Sequence, residues 1–283
     1  MTDCLLTAGT LMEKLIATTE QGIKSGALKT VHCETQLHYQ AGIPFQIRVL
    51  SNTVDKARSL KRLNLAGNVR TNPFLPYEAD MFVTDITRNR IVLLNKFNVV
   101  KQHALIVSRE FQHQQSPLGL EDFYALSVAM NEFPSLGFYN GGKEAGASQT
   151  HRHMQLVPIE CLGGDLPINP QVLNDIKPGF VYRLISNLSS DPGCRSEQLS
   201  NFYKQCLQEL DLREGDKVGP FNMLVYKTWG MIVPRSQGEV EGIAINSLGY
   251  AGAFLAKDDT QLQRIKDIGC LQLLMQAGVP LTA

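Results

Sequence analysis

Two pairs of short apolar runs constrain the fold of this 283-residue chain more than any other feature. Residues 81–87 and 91–95 are joined only by Arg88-Asn89-Arg90, and residues 222–226 and 230–233 only by Lys227-Thr228-Trp229. Parallel neighbours need a crossover of a dozen or more residues, so connections this short leave antiparallel hairpins. Further extended runs are expected at 31–39, 45–50, 103–108, 136–140, 151–159 and 180–186. Apolar residues at helical spacing predict helices over 11–23, 122–133, 197–212 and 260–276, the last capped by Asp258 or Asp259. Residues 66–78 and 160–178, rich in Pro and Gly, read as loops. Helices at irregular intervals among closely spaced strands predict an α+β fold with a largely antiparallel sheet. Asn140-Gly141-Gly142-Lys143 has the spacing of neither a dinucleotide fingerprint nor a P-loop.

Charge narrows the partners. With 27 Lys+Arg against 27 Asp+Glu the net charge is zero, which argues against a protein that coats nucleic acid or an anionic membrane. A small polyanionic substrate needs only a local cluster of cations. No apolar run approaches the ~20 residues that span a bilayer, and the first residues lack the features of a signal peptide. The six cysteines, at 4, 33, 161, 194, 206 and 270, form no C-x-x-C pair and read as free thiols in a reducing, cytoplasmic setting.

The chemistry concentrates at His151-Arg152-His153-Met154-Gln155. On a strand, His151, His153 and Gln155 share one face at intervals of about 6.8 Å, with Arg152, Met154 and Leu156 on the other. Three hydrogen-bonding groups in a row suit a site better than an apolar core. A neutral imidazole is a good nucleophile toward phosphorus, provided its second nitrogen donates to a fixed acceptor such as a backbone carbonyl near His151. Upstream, Gly141, Gly142 and Gly146 let the backbone approach phosphate oxygens, Lys143 adds a charge, Ser148 a hydroxyl, and Asn140 a ribose or phosphate contact. Taken singly, the glycines describe a surface turn and the histidines a metal pair. Their conjunction with Ser148 and Gln155 points to catalysis.

The stretch from Phe138 to Gln155, N-x-G-K-x-x-G-A-S-Q followed by H-x-H-x-Q, resembles the ATP adenylyltransferases, or diadenosine polyphosphate phosphorylases, of the histidine-triad superfamily. Residues 72–76, 94–100, 103–107, 222–224 and 229–235 extend the resemblance over most of the chain. It implies a histidine-triad-like antiparallel sheet with flanking helices in one adenylyltransferase domain over 1–283, its core about 66–160 and its C-terminal part about 179–283 completing the site. The implied reaction is phosphorolysis of diadenosine tetraphosphate to ATP and ADP through an adenylyl-histidine.

His153 would be the nucleophile, with His151 beside it, and Gln155 stands where the hydrolase branch has a third histidine. An amide cannot serve water as acid or base, which favours transfer over hydrolysis. Asn140, Lys143, Gly146, Ala147, Ser148 and Gln149 would line the phosphates, with Lys227 and Arg235 as further phosphate contacts. Asn95 and Phe97 fall on the nucleoside side, and Lys56, Arg48 and Lys29 are looser matches. A divalent cation, Mg2+, is expected to travel with the polyphosphate, without an organic cofactor or a protein metal cage. The rival readings are a hexose-phosphate uridylyltransferase, which shares H-x-H-x-Q but carries Pro where Arg152 and Met154 stand, and a non-catalytic nucleotide- or metal-binding module.

Overall fold

The computed structural model describes residues 3–50 and 72–281. Its strands are β1 (Cys33–Gln40), β2 (Ile43–Leu50), β3 (Phe82–Asp85), β4 (Arg90–Leu94), β5 (Ala104–Ser108), β6 (Ser135–Gly141), β7 (His153–Pro158), β8 (Arg183–Ile185), β9 (Arg213–Glu214), β10 (Lys217–Val218), β11 (Phe221–Tyr226), β12 (Trp229–Pro234), β13 (Glu239–Val240), β14 (Ile243–Ala244) and β15 (Ala253–Ala256). Eight of them form one sheet in the order β3-β4-β5-β7-β6-β11-β12-β8, antiparallel at every junction. Both expected hairpins are present, β3–β4 and β11–β12, so the α+β architecture follows from their short connections. A smaller sheet, β1-β2-β15, stands apart, with β15 running parallel to β2.

Side-chain alternation gives the large sheet two apolar faces. Tyr139, Met154, Leu156, Met223 and Val225 pack on one face with the helices Leu11–Ser25, Leu120–Glu132 and Pro192–Glu209. Leu136, Phe138, Val157, Leu224 and Met231 pack on the other with β2 and the C-terminal helices Asp259–Ile268 and Cys270–Ala277. β6 and β7 therefore lie in the middle of the molecule, covered on both sides. His153 and Gln155 share the parity of Val157 and open toward the small sheet instead of meeting apolar core.

Several elements differ from the sequence expectation, each for a local reason. Within the expected 160–178 loop a helix forms over Pro170–Ile176, because Asn169 Oδ1 accepts from Val172 N at 3.1 Å and Pro170 sits in its first turn. The helix expected from 197 starts at Pro192, capped by Asp191. The last helix breaks at Gly269, whose φ of 90° suits glycine and where a Cβ would lie 2.5 Å from Gln40 Nε2. Its first half is capped by Asp258, which accepts from Gln261 N at 2.8 Å. β7 begins at His153 and not at His151, which instead forms an isolated bridge with His113. Among the described residues no helix is long and apolar enough to cross a membrane.

Candidate active site

A cavity of about 1410 Å³ lies between the His153 and Gln155 positions of β7 and the small sheet. That exceeds the usual ~300–1,000 Å³ of a small-molecule pocket and leaves room for a ligand with two large ends. His153, Gln155, Asn140, Lys143, Gly146, Ala147, Ser148, Gln149, Asn95 and Phe97 all line it. Lys56 lies outside the described residues.

His153 is 3% exposed and held at every polar atom except one. Its backbone N–H donates to Gln114 Oε1 at 2.9 Å, and Gln114 Nε2 donates to the Asn140 carbonyl oxygen at 2.8 Å, tying β7 to β6. Nδ1 lies 2.8 Å from the His151 carbonyl oxygen. A carbonyl only accepts, so Nδ1 carries the proton and Nε2 keeps its lone pair. The Phe74 ring packs 5.5 Å from both His153 and His151, centroid to centroid.

His151 itself does not line the cavity. Its Nε2–H donates to the Ser108 carbonyl oxygen at 2.7 Å, and its Nδ1 accepts from Asn72 Nδ2 at 2.8 Å. The expected row of three same-face groups is thus a pair, His153 and Gln155, because the strand has not yet begun at 151. His151 reaches the site through its backbone oxygen, which holds the His153 ring.

Gln155 is oriented by a residue the motif does not contain. Asn95 Nδ2 donates to His103 Nδ1 at 3.1 Å, so the His103 proton is on Nε2, which donates to Gln155 Oε1 at 2.9 Å. That leaves the Gln155 amide N–H groups for the cavity. Asn140 is fixed in the same sense: the Ser247 backbone N–H at 3.0 Å, Ser247 Oγ at 2.7 Å and Asn222 Nδ2 at 2.9 Å all converge on its Oδ1. Asn140 Nδ2 has no partner among the described residues. Two amide donors and one imidazole lone pair therefore meet at one wall, an arrangement suited to a tetrahedral oxyanion centre.

The glycine loop acts differently from expectation. The backbone N–H groups of Gly146 and Ala147 donate to the carbonyls of Lys143 and Gly142, at 2.9 and 3.0 Å, so neither is free for a phosphate. Gly146, at φ 87°, is needed because a Cβ there would lie 2.6 Å from Asn246 Cβ. Lys143 and Ser148 are exposed on the cavity wall and supply the charge and hydroxyl.

Two expected phosphate contacts lie elsewhere. Arg235 is 3% exposed and does not line the cavity. Its guanidinium donates to the carbonyls of Ala277, Gln237 and Ile245 and to Asn222 Oδ1, which makes it a brace behind Asn140. Lys227 sits in the β11–β12 turn, paired with Asp165 at 3.4 Å. Asn222 is opposite Asn140, so Lys227 lies roughly 17 Å further along the strand at 3.4 Å per residue.

Burial pushes both His153 and His103 down to about 4, in each case against a hydrogen bond that favours the charged form. Both rings are therefore neutral at pH 7. They bind protons more weakly when folded than at the ordinary histidine value of 6.5, so the unfolded chain takes up more protons as the pH falls. Stability is expected to be insensitive to these rings above about pH 6.5 and to decline between there and about pH 4. Denaturant titrations across that range check it; a free energy that does not fall would mean the rings protonate inside the fold.

The sequence profile of the Ap4A phosphorylase N-terminal domain matches residues 1–174, and that of the ATP adenylyltransferase C-terminal domain matches residues 179–280. The chain is similar to two curated proteins of Saccharomyces cerevisiae. It is 31% identical over 231 residues to diadenosine 5',5'''-P1,P4-tetraphosphate phosphorylase 2, covering 68% of this chain and 70% of that protein. It is 30% identical over 223 residues to Protein APA1, with the same coverage of 68% and 70%. The crystal structure of yeast Ap4A phosphorylase Apa2 in complex with AMP superposes with a TM-score of 0.76 at 26% identity, covering 100% of both chains.

Proposed function

Because the chain belongs to the family of Ap4A phosphorylases and ATP adenylyltransferases, we propose that it cleaves diadenosine tetraphosphate with phosphate, giving ATP and ADP through an adenylyl group carried on His153. The observation that carries this reading is the 2.8 Å bond from His153 Nδ1 to the His151 carbonyl, which leaves Nε2 as a lone pair in the cavity.

In the first step the Nε2 lone pair forms a bond to the α-phosphorus, and the bond from that phosphorus to the bridging oxygen breaks, releasing ATP. The Gln155 and Asn140 amides donate to the non-bridging oxygens as their charge grows. The ring keeps its Nδ1 proton and becomes cationic, a form the His151 carbonyl stabilises and one that leaves phosphorus readily. In the second step a phosphate oxygen forms a bond to the same phosphorus, the N–P bond breaks, and ADP departs with Nε2 restored. Gln155 bears no group that can take a proton from water, which favours phosphate as the acceptor.

Magnesium is part of the same proposal. The ion would travel with the polyphosphate and supply charge neutralisation at its oxygens. A cytoplasmic location belongs to the proposal too, in keeping with six free thiols. The test is a phosphate-dependence assay on diadenosine tetraphosphate labelled in the adenosine. ATP and ADP are expected with phosphate present, and acid-labile adenylate on the protein without it. Rapid release of AMP in the absence of phosphate would make the enzyme a hydrolase, and no adduct at all would point to direct displacement.

A further inference from the structure

At the end of the large sheet away from His153, a buried cation stands without an acid. Arg195 sits in the first turn of the Pro192–Glu209 helix and is 7% exposed. Its Nε donates to the Ser189 carbonyl oxygen at 2.7 Å and its Nη1 to Asn131 Oδ1 at 2.9 Å. Among the described residues its Nη2 has no partner, and it makes no ion pair. Asp191 is engaged as the helix cap, accepting from Cys194 N at 2.8 Å, and acts on Arg195 only through space. Guanidinium keeps its charge inside a protein, and two neutral oxygens do not balance it. The positive end of an 18-residue helix adds to the same field, which favours an anion there.

Arg195 lines a pocket of about 90 Å³ with Met130, Pro134, Ser135, Tyr226 and Lys227. Ser135 opens β6 and is 4% exposed, and its Oγ has no hydrogen-bond partner among the described residues. A buried hydroxyl left unpaired costs free energy, as does a buried charge without a counter-charge. Lys227 adds little, because its ammonium is paired with Asp165 at 3.4 Å. This pocket shares no lining residue with the large cavity. Ser135 is in register with Pro158, five residues from His153, so it lies roughly 17 Å along the sheet at 3.4 Å per residue.

Size and chemistry together define the occupant. The pocket has room for a few waters but is far smaller than the ~300–1,000 Å³ of a small-molecule site, which excludes a nucleoside and admits one compact group. An anion with several oxygens accepts from the open side of the guanidinium and from the serine hydroxyl at once, and charge-assisted bonds of this kind are the strong ones. We propose that the pocket is a second oxyanion site, which binds one free tetrahedral anion, orthophosphate or sulfate, between Arg195 and Ser135. Its occupant would tie the start of β6 to the start of the Pro192–Glu209 helix and so stabilise the fold. The site rests on its own geometry and stands or falls apart from the adenylyl-transfer reading.

Thermal unfolding of the full-length protein, with AMP in excess, tests it by titration with sulfate and with orthophosphate against chloride of equal ionic strength. Both oxyanions are expected to raise Tm beyond chloride. The Kd read from that rise should weaken about tenfold or more in Arg195→Gln and about two- to tenfold in Ser135→Ala, with Arg195→Lys recovering part of the loss. Ser135→Ala removes a hydroxyl that has no partner in the fold, so it keeps the question measurable if the Arg195 variants misfold. Lys143→Gln, on the wall of the large cavity, is the contrast, and the rise should survive it. Crystals of the AMP complex soaked in selenate should show an anomalous peak between Arg195 and Ser135. Unchanged binding in either Arg195→Gln or Ser135→Ala would overturn the proposal. So would a rise abolished by Lys143→Gln, an anomalous peak confined to the large cavity, or an equal rise with chloride.

Discussion

Replacing His153 with alanine is expected to lower adenylyl transfer by on the order of 10⁴-fold or more, as loss of a covalent nucleophile does elsewhere. Nucleotide affinity is expected to stay within about threefold, since the uncommitted donors of Gln155 and Asn140 are held by other residues and do not depend on the imidazole. His151→Ala is the informative companion. It removes a ring that binds Ser108 and Asn72, but leaves the carbonyl that accepts from His153 Nδ1. Its loss should be far smaller than that of His153→Ala, and trapped adenylate should still form. Single-turnover measurements with labelled dinucleotide separate the two. Comparable losses for both variants would return His151 to the chemistry, and retained transfer in His153→Ala would remove His153 from it.

That contrast shows where the sequence was informative. Period-two alternation along 151–157 put His153 and Gln155 on one face, because within one strand the side-chain direction depends on sequence spacing alone. The same rule overreached at His151, since spacing does not say where a strand begins. Lys227 and Arg235 flank a recognisable signature, yet one occupies the far turn of its hairpin and the other is enclosed by backbone carbonyls. Nearness in sequence to a motif carries no information about which end of a strand faces the ligand.

The residues that hold the site were hidden for a related reason. His103 meets Gln155 only because β5 neighbours β7, and Asn222 meets Asn140 only because β11 neighbours β6. Strand order is a non-local property that periodicity does not encode. Gln114 and Phe74 come from loops, where neither period applies. The short connections did make the antiparallel sheet legible, because a turn of a few residues has a single pairing open to it. The β15 strand had no such signal: four residues, paired in parallel across a long separation from β2.

Asp122→Ala is expected to destabilise the protein by about 3–5 kcal/mol, the cost of leaving a buried charge unpaired. Asp122 is 1% exposed and serves two guanidiniums at once. Arg90 approaches Oδ1 with Nε at 2.9 Å and Nη2 at 2.8 Å, and Arg152 approaches Oδ2 with Nη1 at 3.1 Å. Its Oδ2 also accepts from Gly119 N at 2.8 Å, at the start of the Leu120–Glu132 helix. Removing the carboxylate strands two buried cations that are then served by Gln112, three carbonyls and a Glu121 oxygen 3.8 Å from Arg90 Nη1. For a chain of this length the shift in Tm should be on the order of 10 °C. The half-exposed Asp85–Arg109 pair supplies the control, because Asp85→Ala should cost less than about 1 kcal/mol where solvent screens the charges. Arg152 lies between His151 and His153, so its anchor also sets the backbone that presents the nucleophile. Asp122→Ala should therefore slow adenylyl transfer even at temperatures where the variant is fully folded. Denaturant unfolding with single-turnover kinetics at low temperature distinguishes the two effects: equal stability losses for Asp85→Ala and Asp122→Ala would show the buried pairing to be energetically idle, and unimpaired transfer would show that Arg152 does not position the strand.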